Sequence, residues 1–150
     1  MEPVSPFIVG VFQDVSWARR GVDALLGDGF VAASLTILAL ESPAAAELIE
    51  SALGAPAEKI ELKALGAVVA RGPLMGALQG ADAGLKTSGL GATMRRAGFQ
   101  AHDGLIYETL VGRGGVLVAV CSEPRAADAL ARLHAYGGGN AAIGAWKGRV

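Results

Sequence analysis

The chain has 150 residues, enough for one compact domain. Its net charge of −1 and aromatic content of 5% leave neither the basic footprint nor the stacking platform that nucleic-acid binding needs. The 22 glycines are twice the usual share, and Gly with Ala makes about a third of the chain. One Cys excludes an internal disulfide framework and any multi-Cys metal site.

The N-terminus, Met1-Glu2-Pro3-Val4-Ser5-Pro6, has no basic start and no apolar run, so no signal peptide is expected. No stretch reaches the ~20 apolar residues of a membrane span. A cytoplasmic location is the default expectation.

Phe7 to Phe12 reads as a buried strand. Asp14 or Ser16 caps a helix whose inner face carries Ala18, Val22, Leu25 and Leu26, ending at Gly27 and Gly29. Leu35 to Leu40 is a second strand. Ser42-Pro43 opens a helix that Gly54 closes, with Pro at the first position, where its missing N–H is not needed. Lys59 to Lys63 alternates charged and apolar residues, the pattern of a half-exposed strand. Leu65 to Gly98 reads mainly as helix, broken near Gly66 and Gly89-Leu90-Gly91.

Ala101 to Val111 is a further helix, with Asp103 in its first turn. Val116 to Cys121 is apolar on both faces, as a central strand is. A last helix from Pro124, with Ala126, Ala127, Leu130 and Leu133 inward, ends at Gly137-Gly138-Gly139. Ala141 to Trp146 closes as a strand. The two ends echo each other. The expected fold is a single α+β domain over residues 1–150, a ferredoxin-like sandwich of two βαβ-like halves (5–40 and 99–150) around a Gly/Ala-rich helical insert (41–98).

Gly72, Gly76, Gly80 and Gly84 recur every fourth residue. On one helix they form a bare stripe against which another backbone packs closely. The expected neighbour is a helix of the same subunit or the same helix of a second one, with a segment that is not a regular helix as the alternative. Such a contact would make a homo-oligomer, a dimer first.

One polar cluster invites a chemical reading: His102 and Asp103, with Tyr107 and Glu108 a turn later. A His near carboxylates suits acid–base work. Adjacent residues diverge by about 100° on a helix, however, and Ile106 stands where a second metal ligand would. A surface His and a favourable first-turn Asp are the expected roles. Cys121 reads as an inert thiol and His134 as a helix cap. The glycines at 112, 114 and 115 lie between helix and strand, the reverse of a nucleotide fingerprint. No catalytic residue, cofactor or metal is expected.

Val9-Gly10-Val11-Phe12, Gly29-Phe30, the Gly/Ala-rich middle, and Ile106-Tyr107-Glu108-Thr109-Leu110 leading to Arg113-Gly114-Gly115-Val116-Leu117-Val118-Ala119-Val120 resemble the bacterial general stress protein 17M-like domain family. The resemblance covers most of the chain. It implies two α/β halves about a Gly/Ala-rich segment and a role in stress response, with no catalytic residues to carry over. The helix and strand from Ser42 to Leu62 and a more charged centre depart from it. The expected function is a non-enzymatic, stress-associated protein acting through self-association or a protein partner. A small-molecule-binding regulatory module is the alternative, and an enzyme built on the His102 cluster is the third.

Overall fold

The computed structural model describes residues 7–97, 99, 101–121, 128, 131 and 142–143. The last helix expected from Pro124, with His134 and the glycines at 137–139, lies outside these residues, apart from two helical positions, Asp128 and Ala131. Among the described residues six strands form one sheet: β1 (Phe7–Phe12), β2 (Leu35–Leu40), β3 (Glu58–Leu62), β4 (Gly66–Arg71), β5 (Val116–Cys121) and β6 (Ala142–Ile143). Their order is β3-β4-β2-β5-β1-β6, and every neighbouring pair is antiparallel. β5 lies between β1 and β2 and opposes both, so those two run parallel without touching. β1 in turn lies between β5 and β6. The central position expected for the Val116–Cys121 run is the one it occupies.

Period-two alternation divides the strands between two cores. Phe7, Val9 and Val11 of β1, Leu38 of β2, Val68 and Ala70 of β4, and Leu117 and Ala119 of β5 face one side. Ile8, Phe12, Leu35, Ile37, Ala39, Val69, Val116, Val118 and Val120 face the other. Both faces are covered, which is why the strands read as unbroken apolar runs despite antiparallel pairing.

Helices α1 (Val15–Gly27) and α2 (Pro43–Leu53) cover the second face with Ala18, Val22, Leu25, Ala45, Leu48 and Ile49. Both start where the sequence predicts. Asp14 Oδ1 accepts from the Trp17 N–H at 2.9 Å, and Ser42 Oγ accepts from the Ala45 N–H at 3.1 Å.

The segment after Leu65 departs from the expected helix. Gly66–Arg71 is β4, which forms a hairpin with β3 in the register Ile60↔Val68. Its Val68 and Val69 are β-branched, and burial on both faces hides the alternation that would mark a strand. Beyond β4 come short helices: α3 (Pro73–Gln79), α4 (Gly84–Thr87) and α5 (Leu90–Thr93), then a 3₁₀ turn over Met94–Ala97 and the longer α6 (Ala101–Gly112). They cover the first face of the sheet with Leu74, Met75, Leu78, Leu85, Leu90, Met94, Tyr107 and Val111. The helix expected to open the second half of the chain thus belongs to the same layer as the insert. The result is a three-layer α+β arrangement.

Candidate functional site

The four evenly spaced glycines do not share a helix. α3 ends at Gly80, whose φ of 59° turns the chain out of the helix, and α4 resumes only at Gly84. Each glycine has its own surroundings. Gly72 precedes α3 with a φ of 135°, and a Cβ there would strike the Leu35 carbonyl oxygen and Thr36 Cα. This close approach lets Thr36 Oγ1, buried on β2, accept from the Leu74 N–H at 2.9 Å and cap α3 from 38 residues away. Gly76 faces open space, with nothing within 4 Å of a Cβ.

Gly80 and Gly84 make room for one side chain, that of Arg96. A Cβ on Gly80 would meet Arg96 Nη1, and one on Gly84 would sit 2.7 Å from it. From there Nη1 donates to the carbonyls of Leu78 at 3.1 Å and Gln79 at 3.0 Å, the open end of α3. Nη2 donates to Asp82 Oδ2 at 2.6 Å. The Leu85 N–H donates to Gln79 Oε1 at 2.9 Å and closes the loop between α3 and α4. The hydrogen bond from Arg96 is the main reason the Asp82 carboxyl is held below the usual carboxylate range. The evenly spaced glycines make two separate fits, Gly72 against β2 and Gly80 with Gly84 around Arg96, rather than a ridge.

The true backbone-to-backbone approach joins α5 and α6. A Cβ on Gly104 would strike the Gly91 carbonyl oxygen, and one on Gly91 would lie 3.3 Å from the Gly104 oxygen. Gly89-Leu90-Gly91 reads as a helix break in the sequence, and no periodic signal links it to Gly104.

The polar cluster is divided by α6. His102 is exposed. Asp103 stands in the first turn of α6 as expected, and it is fully buried because Gly104 and Tyr107 share its inward face. Tyr107 is also fully buried, edge-on to Phe99 at a centroid distance of 5.9 Å. Burial, and then the neighbouring Asp103 carboxylate, push its phenol up and keep it protonated. Glu108 turns to α5, where its Oε2 accepts from the Gly91 N–H at 3.3 Å. The four side chains do not converge on one point. Among the described residues no His, Cys, Asp and Glu side chains gather in threes with metal-binding geometry.

Two of the concavities are lined by described residues. One, of about 340 Å³, is lined by Ala32, Ala33, Leu35, Leu53, Glu58, Arg71 and Gly72. Arg71 Nη1 donates there to the Pro56 carbonyl at 3.1 Å and lies 3.8 Å from Glu58 Oε2. The other, of about 380 Å³, runs along the outer side of α6 between His102, Leu105, Ile106, Thr109, Leu110 and Arg113. Leu105 is 59% exposed there, while Ile106 and Leu110 are half-buried. α6 is therefore apolar on both sides.

Among the described residues no helix is long and apolar enough to cross a membrane. Comparison with protein-family models, curated proteins and solved structures finds no match to this chain.

Proposed function

We propose that this chain is a non-enzymatic binding protein of ferredoxin-like fold that acts through contact with another protein chain, a second copy or a partner. The strand order β2-β5-β1-β6, with both crossovers split, supports the ferredoxin-like core, to which α2, β3, β4 and the α3–α6 layer are added. The observation that carries the binding reading is the outer side of α6. There Leu105, 59% exposed beside half-buried Ile106 and Leu110, puts an apolar strip on the side of α6 turned from the sheet, between His102, Thr109 and Arg113. The resemblance noted above is what suggests a role in stress response.

A photo-crosslinking amino acid at position 105 tests this in cells that express the protein. The expected result is a discrete adduct, of twice the chain mass for a second copy or of another mass for a partner. Leu105→Asp should remove the adduct formed by the same probe at position 109. Labelling at 105 no stronger than at exposed position 50 on α2 would defeat the reading.

The cleft beside Arg71 favours the small-molecule alternative. Its volume lies within the range of ligand pockets, and it sets one cation, Arg71, and one anion, Glu58, beside small side chains. A thermal-shift screen of amino acids, nucleotides and metabolites decides between them. A ligand whose shift disappears with Arg71→Ala would support this second reading.

A further inference from the structure

We infer that the β3 edge of the sheet pairs with β3 of a second copy in antiparallel register centred on Ile60. The inference rests on the reading that the chain works by protein contact; it adds a second contact surface, separate from the outer side of α6, and commits it to one occupant.

Among the described residues β3 is the first strand of the sheet and pairs with β4 along its length, and just past its end the Lys63 N–H donates to the Leu85 carbonyl at 3.2 Å, so the free edge is Glu58–Leu62. Its sequence is Glu58-Lys59-Ile60-Glu61-Leu62; Glu58, Lys59 and Glu61 are exposed and Ile60 is half-buried. Charges on an edge strand normally discourage pairing. Here their order makes the strand self-complementary in a single register. A two-fold axis normal to the sheet keeps each face on its own side, so it must centre the pairing on a residue.

Centred on Ile60, Lys59 stands opposite Glu61 of the second copy and Glu61 opposite its Lys59, with the two Ile60 side chains between them. Centred on Lys59, Lys59 would face itself; centred on Glu61 or Glu58, a carboxylate would face itself. Centring on Leu62 would need Ala64 extended, and its φ is 78° in the hairpin turn. Opposite charges directly across a strand pair stabilise it and like charges oppose it. Within its own chain Lys59 Nζ lies 3.3 Å from Glu41, just past β2 on the inner side of β4, an exposed pair that Lys59 exchanges for Glu61 of the second copy.

Light scattering over a concentration series reaching the millimolar range reads the association of the intact chain. The wild type should dimerise. Lys59→Glu and Glu61→Lys should each weaken dimerisation by about tenfold or more, since each turns two symmetric attractions into repulsions. Mixing the two variants should restore a heterodimer, because Glu at 59 of one then faces Lys at 61 of the other. Thermal melts of each variant alone verify that it stays folded.

A wild type monomeric throughout would overturn the inference. So would a dimer indifferent to both substitutions, or variants that fail to complement each other. An adduct at position 105 would leave the binding reading standing in each of those cases.

Discussion

Gly76→Ala and Gly72→Ala are expected to act in opposite directions, although the two positions are one helical turn apart. At 76 a methyl group enters open space inside α3, and Ala is the better helix former by about 0.5–1 kcal/mol. At 72 it strikes the β2 backbone at a φ that L-residues avoid, and the Thr36 cap on α3 is displaced as well. A loss of about 3 kcal/mol or more is expected, in the range of backbone strain plus a lost cap. Urea denaturation of the two variants measures both signs. Equal effects would mean that the glycines do form a uniform stripe. The spacing alone could not separate these roles, since each depends on a residue distant in sequence: Thr36 for Gly72, Arg96 for Gly80 and Gly84. Asp103 has the same lesson. Its place in the first turn of α6 is legible from order alone, but its burial follows from which side of the helix meets the sheet.

At the level of elements, the join between α3 and α4 depends on charge. Asp82 is held ionised by Arg96, so its folded pKa lies below its unfolded one. The sign follows from linkage: the stabilisation is present above the unfolded value near ~3.9 and is lost as pH falls through the lower folded value. Melting temperatures taken below about pH 5 should therefore fall more steeply with falling pH in the wild type than in Asp82→Asn. The pair is open to solvent, at 36% and 62% exposure, so added salt should narrow the difference. A variant whose acid limb superimposes on that of the wild type would remove Arg96 from this role. Helices with local start signals were legible: Asp14 and Ser42 cap α1 and α2 where their side chains predict. β4 was not, because its alternation is erased by burial on both faces and its hairpin turn uses Ala64, a residue with no turn signature. Within 72–97 the break between α4 and α5 at Gly89 was legible, but the one between α3 and α4 was hidden, since Arg96 supplies its reason from twelve residues beyond Gly84.

Across the whole molecule the decisive feature is interleaving. β1 and β2 come from the start of the chain, yet β5 must stand between them before either gains its inner partner. Alternation of strand and helix gave the composition of both halves but not this order, which is set by contacts more than 80 residues apart, such as Leu35↔Val120. The consequence is a gradient of protection against amide exchange. β5 has a neighbour on each side and buried side chains on both faces, so its inner amides should exchange only when the molecule unfolds completely. β3 has one neighbour and three exposed residues, so it should open locally and exchange first among the strands β1 to β5. Protection in β3 should then rise with protein concentration while that in β5 stays fixed, because the edge amides find new acceptors only when a second strand arrives. Exchange mass spectrometry at two concentrations separates these contributions. Fast exchange in β5 would break the proposed order of the sheet, whereas concentration-independent exchange in β3 would leave the sheet intact and remove its pairing with a second copy.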